Sequence, residues 1–258
     1  MTVSSIRKIV ALICFMFASA VITYGQQNPQ ALFDRANEQL ESYHYREAIA
    51  LYQDIIAQNT VSGALYLNLG IAYQRTDSLG KAKYYFLKAA QFESTEEEAN
   101  RALEFVETQF SRQSAVLPKL PWDIATHWLQ NNVGSSTLLL LGIILLNIGI
   151  FIYIVHWFTS RYPQLFKIGG YVLSGLSILV IAAGFYTQYV SDRYSTAVMV
   201  SQKAAVYEKP KSEAALVSQA FEGYTFTIDR YKSEDGWKYI RMSNGMYGWI
   251  PGDKIMIL

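Results

Sequence analysis

Residues 136–158 (STLLLLGIILLNIGIFIYIVHWF) and 168–190 (IGGYVLSGLSILVIAAGFYTQYV) are uncharged and almost continuously apolar. At ~1.5 Å rise per residue, a helix of either length exceeds the ~30 Å hydrocarbon thickness of a bilayer, so both stretches predict membrane-crossing helices. Between them, residues 159–167 carry Arg161 and Lys167 without an acid, which predicts a cytoplasmic loop. Two crossings return the chain to the side it left, so the parts flanking this hairpin share a compartment. Gly142 and Gly149 in the first stretch, and Gly170, Ser174, Ser177 and Gly184 in the second, form stripes that let two helix backbones approach closely. Asn147 and His156 are the polar members of the first stretch. They are expected to make an interhelical hydrogen bond and to place a ring at the interface, respectively, rather than to line an ion pathway.

Ahead of the hairpin, residues 29–110 follow a helical period, and a repeat emerges at a spacing of 34 residues. Ala36 corresponds to Gly70, Ala48 to Ala82, Tyr52 to Phe86 and Ile55 to Ala89. Small residues recur where helices cross closely, and large ones where they fill the gap. A further helical stretch, residues 96–110, places Leu103, Val106 and Phe110 on one face and predicts a capping helix. Residues 111–135 form a connector with Pro118 and Pro121, in which Trp122, Ala125, Trp128 and Leu129 share one helical face. A short interfacial helix and a plain linker both fit that pattern. After Ser195 the pattern turns to short alternating strands, TAVMV, KAAVY, ALVSQA, YTFTIDRY, WKYIRM, YGWIP and KIMIL. Turn signals at Glu234-Asp235-Gly236 and Asn244-Gly245 predict a small β-barrel over residues 195–258.

The two apolar stretches account for the 51% hydrophobic content of the 258-residue chain. A net charge of +1 gives no footprint for nucleic acid. Arg7 and Lys8 precede an apolar run over residues 9–22 and then Thr23, Tyr24 and Gly25, a secretory signal pattern that predicts a signal peptide over residues 1–25. An uncleaved anchor is the alternative, and it leaves the topology unchanged. Cys14, the one cysteine, lies inside that run, so the processed chain has no thiol for disulfides, thiolate catalysis or metal ligation. His44, His127 and His156 fall in separate segments without metal spacing. No catalytic residue, metal or cofactor is therefore expected.

The residues of the repeat segment resemble the tetratricopeptide repeat. Tyr66, Leu69, Gly70, Tyr73, Ala82, Phe86 and Ala89 carry the second unit, and Tyr45, Glu47, Ala48, Ile49 and Tyr52 the first. Gln39, Thr60 and Ser94 depart from the usual pattern. The resemblance implies a solenoid of two repeats plus a capping helix over residues 26–110. It also implies a peptide-binding groove formed by Phe33, Asn37, Leu40, Asn68, Ile71 and Arg75, with Asn37 and Asn68 holding ligand backbone. Phe33 and Ala102 occupy positions where cations would complete a carboxylate clamp, so recognition of a C-terminal carboxylate is not expected.

The string Asp235-Gly236-Trp237-Lys238-Tyr239-Ile240-Arg241, followed by Tyr247-Gly248-Trp249-Ile250-Pro251, resembles the bacterial SH3 family. This assigns Trp237, Tyr239, Tyr247 and Trp249 either to a contact surface for cell-wall or Pro-rich peptide or to packing of the sheet. The first-loop run of wall-binding members is replaced by Tyr207-Glu208-Lys209-Pro210.

The whole order of signal, repeat pair, membrane hairpin (136–158, loop 159–167, 168–190) and SH3-like barrel resembles the BatE-type proteins of the Bacteroides aerotolerance (Bat) system. The expected fold is thus a multidomain membrane protein with an α-helical solenoid, a two-helix transmembrane hairpin and a C-terminal SH3-like β-barrel. The resemblance implies as partners von Willebrand A-type membrane proteins, other repeat proteins and, indirectly, a MoxR-type ATPase, with the chain in the bacterial inner membrane and both soluble domains in the periplasm. The expected function is a noncatalytic scaffold. The alternative is an envelope sensor whose barrel binds peptidoglycan.

Overall fold

A computed structural model describes residues 28–112, 117–118, 121–159 and 162–258. The predicted signal peptide with Cys14, Arg161 of the loop, and the side chains of Trp122 and His127 lie outside the described residues.

The helical part contains α1 (Pro29–Glu41), α2 (Tyr45–Ala57), α3 (Gly63–Arg75), α4 (Leu79–Ala89) and α5 (Glu96–Gln109), the last preceded by a 3-10 turn, Glu93–Thr95. Asn28 caps α1 by accepting from the Gln30 N–H, and Pro29 follows at the first helical position, where its missing N–H costs nothing. Ser62 caps α3 through the Leu65 N–H. The recurring positions Ala36, Gly70, Ala48, Ala82, Tyr52, Phe86, Ile55 and Ala89 are all buried. A side chain at Gly70 would fall 2.6 Å from the Phe86 ring, which is why the small residue is needed there. The turns repeat as well. Tyr43 and Asp77, one repeat apart, both adopt positive φ (64° and 59°). In each turn the following N–H, His44 or Ser78, bonds back to the carbonyl of Gln39 or Tyr73.

The two apolar stretches form α7 (Ser135–Val155) and α8 (Pro163–Arg193), preceded by α6 (Pro121–Asn132) in the connector. Residues 135–158 and 163–193 are each long and apolar enough to cross a membrane. The helix of the second stretch runs further than residues 168–190: Pro163 starts it five residues earlier and it continues to Arg193. Its 31 residues span about 46 Å, well beyond the hydrocarbon thickness. The helices pack antiparallel through the small residues. A Cβ at Gly149 would lie 2.9 Å from the Ser174 backbone nitrogen, and one at Gly170 2.9 Å from the Tyr153 Cα. Gly142 faces Ile181 and Gly184 faces Leu139. Asn147 departs from expectation: it stays on its own helix, its Nδ2 donating to the Ile143 carbonyl at 2.8 Å, because it lies roughly opposite Gly149 around the helix. Among the described residues no partner meets the buried His156 Nδ1, and the His156 ring lies beside Tyr153.

The C-terminal part is a seven-stranded antiparallel sheet in the order β3-β2-β6-β5-β4-β1-β7, with β1 (Tyr194–Met199), β2 (Lys203–Tyr207), β3 (Leu216–Phe221), β4 (Thr225–Asp229), β5 (Trp237–Met242), β6 (Tyr247–Pro251) and β7 (Ile255–Ile257). One face of every strand feeds a single core that includes Met199, Val206, Ala220, Phe226, Ile240, Ile250 and Ile255. Gly236 and Gly245 take positive φ (77° and 85°) in the β4–β5 and β5–β6 hairpin connections, and Gly223 (82°) takes it in the tight link from β3 to β4, which are not neighbours in the sheet; side chains disfavour this region.

Replacing Gly170 by Val should weaken hairpin packing by about 1–3 kcal/mol, because backbone rather than a flexible side chain must yield. Gly175→Val, where nothing lies within 4 Å, should leave it unchanged. Detergent titration followed by circular dichroism of the full chain would measure both, and equal losses would contradict the packing described.

Candidate functional site

Two surfaces carry the chemistry that the sequence singles out, and each belongs to its own part of the chain. In the helical part, α1 and α3 present Phe33, Asn37 and Asn68 together. Asn37 Oδ1 accepts from the Tyr52 hydroxyl at 2.6 Å and from Asn68 Nδ2 at 3.0 Å. The Phe33 ring lies 6.0 Å from that of Tyr52. Leu40 and Ile71 are half-buried, and Arg75 is exposed at the last turn of α3. The two amides are thus bound to each other, and the third member of the cluster is Tyr52, which sequence spacing identifies only as a core position. Burial pushes the Tyr52 phenol up to about 12, against a downward pull from the Asn68 amide, so it stays a neutral donor across the physiological range. A cleft of about 190 Å³ opens beside Phe33, lined also by Ile55, Val61, Ala64 and Leu65; it holds none of the other five predicted groove residues.

Behind α3, Tyr73 and Tyr85 stack at 5.4 Å with rings 3° from parallel, and Gln53 donates to the Tyr73 hydroxyl at 2.6 Å. The Lys83 ammonium, nearly buried, pairs with Glu107 at 2.6 Å and ties α4 to α5. These contacts stiffen the scaffold under the groove residues.

In the sheet, β5 and β6 pair Trp237 with Pro251, Tyr239 with Trp249 and Arg241 with Tyr247, and strand alternation turns all six side chains to the face opposite the core. Tyr239 is the centre. Its ring lies 5.2 Å from Trp249, edge-on, and 6.2 Å from Tyr247, stacked. Trp237 instead meets Tyr207 of β2, at 5.7 Å. Cations flank the rings: the Lys232 ammonium sits 4.8 Å above Tyr239, and the Arg241 guanidinium 5.9 Å from Tyr247. The four predicted aromatics therefore lie on one face, with Tyr207 and Lys232 as members that the motif alone does not supply. A second cleft, about 290 Å³, lies elsewhere on the sheet, between Arg230, Glu234, Asp235 and Lys238.

The aromatic face is tied to the end of α8 by one carboxylate. Arg193 reaches Asp229 Oδ2 with Nε at 3.0 Å and Nη2 at 2.7 Å, and also bonds to the Tyr189 hydroxyl. The other Asp229 oxygen accepts from the Tyr231 and Lys232 N–H groups at 3.1 and 3.2 Å. Ser233 Oγ donates to the Asp229 carbonyl and accepts from the Tyr239 N–H. Burial disfavours the charge on Asp229, but the Arg193 bonds and the two backbone N–H groups outweigh it and hold the carboxyl below its usual range.

No family model matches the chain, and no curated protein matches it.

Two predictions follow from the hydrogen bonds. Asn37→Ala leaves the buried Tyr52 hydroxyl without its acceptor and should cost about 1–3 kcal/mol, most of which Asn37→Ala/Tyr52→Phe should recover, read by thermal unfolding of the full chain. Asp229→Asn removes the charged partner of Arg193 and should lower stability at neutral pH. Because the Asp229 pKa is depressed on folding, its stabilisation is present above the ordinary carboxylate range of about 4 and is lost as pH falls through the depressed value. The gap between wild type and Asp229→Asn should therefore close in acid; an equal gap at pH 7 and at low pH, followed by tryptophan fluorescence, would contradict this.

Proposed function

We propose that this protein is a noncatalytic membrane scaffold whose helical part is a pair of tetratricopeptide repeats with a capping helix and whose sheet is an SH3-like barrel. The observation that carries the reading is the antiparallel hairpin of α7 and α8. It packs through small residues, keeps an apolar outer surface, and brings the chain in and out at the same end, where Ser135 Oγ donates to Gln188 Oε1 at 2.5 Å. Such a hairpin in the inner membrane holds the parts before Ser135 and after Arg193 on one side, the periplasmic one given the basic loop. Recurrence at a spacing of 34 residues, in buried positions and in turns alike, supports the repeat reading. The outward row of Trp237, Tyr239, Trp249 and Tyr247 supports the SH3-like one.

On this reading the two groove amides and the aromatic face are docking surfaces for protein partners. By resemblance these are von Willebrand A-type membrane proteins and other repeat proteins of a Bat complex, with a MoxR-type ATPase reached indirectly. Affinity capture of the intact protein from gently solubilised membranes tests it. The groove variant is Asn37→Ala/Tyr52→Phe/Asn68→Ala, which avoids an unpaired buried hydroxyl. Wild type should retain von Willebrand A-type proteins, and the groove variant should lose them by tenfold or more. Retention of peptidoglycan fragments by the sheet, with no protein partner, would replace the scaffold by an envelope sensor.

A further inference from the structure

The outer face of α7 carries one polar side chain in the middle of an apolar surface. Asn147 is exposed and stands at the midpoint of the 24-residue apolar stretch 135–158. Its only hydrogen bond is to its own helix, at the Ile143 carbonyl. Among the described residues, no donor meets Oδ1 and no acceptor meets the second N–H of the amide. In hydrocarbon such a group is strongly disfavoured unless another polar group meets it.

The surroundings of Asn147 define what could meet it. Leu140, Ile144, Phe151 and Ile154 are 60%, 46%, 66% and 41% exposed. With Asn147 they recur at alternating intervals of four and three residues, and at about 100° per residue they fall within an arc of roughly 80°. That arc is centred roughly 180° from Gly149, so α8 covers the far side of the helix and leaves this one open. Alternating spacing of this kind is the seam along which two helices wind about each other, and a lone asparagine in such a seam fixes register and copy number.

We propose that this face pairs α7 with α7 of a second copy of the chain, Asn147 amide to Asn147 amide. The carboxamide both donates and accepts, so it is its own complement. Two copies inserted in the same orientation bring the two amides to one depth by symmetry, whereas an unrelated helix would need its own polar group at that depth. The pairing rests on the reading that α7 crosses the bilayer.

The test uses the full chain with Cys14→Ser and one introduced cysteine, reconstituted in vesicles of phosphatidylcholine and phosphatidylglycerol and oxidised. Leu140→Cys and Ile154→Cys, on the seam, should cross-link several-fold more than Leu141→Cys and Ile148→Cys, a quarter turn away. Adding Asn147→Leu should reduce seam cross-linking about tenfold, while Asn147→Gln keeps most of it; Leu at a lipid-facing position leaves the helix content unchanged by circular dichroism. Equal cross-linking at all four positions, or seam cross-linking indifferent to Asn147→Leu, overturns the pairing. In spheroplasts an impermeant maleimide should label Lys211→Cys and not Lys167→Cys. Labelling of both overturns the crossing, and the pairing with it, whereas the expected labelling without seam cross-links overturns the pairing alone.

Discussion

Hydrocarbon supplies no hydrogen-bond partners, and the two helices at the centre of this chain, long and apolar enough to cross a membrane, have the form that meets that constraint. Each satisfies its backbone groups within itself, as a helix alone among single segments can. They associate by close approach, Gly149 against Ser174 and Gly170 against Tyr153, a packing that needs no hydrophobic drive between helices. Polar chemistry returns at the open end. There Ser135 bonds to Gln188, Gln188 to Asp192, and Gln130 to the Thr187 carbonyl. These bonds join α6 and the start of α7 to the last turns of α8.

From that end the chain passes into the sheet without a linker, since Arg193 closes α8 and Tyr194 opens β1. A junction that short would swivel if nothing held it. Asp229 holds it, with two bonds from Arg193 on one oxygen and two backbone N–H groups on the other, so both oxygens of a nearly buried carboxylate are satisfied. The same loop reaches the aromatic face, through Ser233 to the Tyr239 backbone and through Lys232 to its ring. The orientation of that face is thereby fixed relative to α8. A tether would leave the face free to turn; this junction suits a surface presented in one pose.

Much of this was legible in the sequence, because period and turn chemistry are local. Three of the seven strands, Lys203–Tyr207, Trp237–Met242 and Tyr247–Pro251, have the ends the alternation predicts, and Gly236 and Gly245 mark their turns. The helix of the second apolar stretch runs past its apolar window, which stops at the last apolar residue, and continues through Ser191, Asp192 and Arg193. The turn at Tyr43 gave no signal, since a bulky residue at positive φ is rare and only the Asp at its repeat counterpart is a recognised turn former. The Arg193–Asp229 pair joins residues 36 apart, and Tyr52 meets Asn37 across 15. Neither is visible in any local pattern. The position of Asn147 was available from helix geometry alone: two residues before Gly149, it must point away from the face that Gly149 lays against α8.

The groove amides show how a structural bond narrows what a site has left to offer. Asn37 Oδ1 is occupied by Tyr52 and Asn68, and one Asn68 N–H is used in reaching it. Among the described residues this leaves the Asn37 amino group and the second Asn68 N–H as donors and Asn68 Oδ1 as acceptor. The pair is pre-ordered, so a ligand would not have to immobilise two free side chains on arrival. Donors beside an acceptor at fixed positions match the carbonyl and N–H of a single extended backbone. A carboxylate, which only accepts, would leave the Asn68 oxygen without a donor. The exposed Arg75 lies two helical turns along α3 from Asn68, about 10 Å, too far to bind the same group as the amides. Under the scaffold proposed above, backbone complementarity without a terminal-charge clamp suits an internal stretch of partner chain.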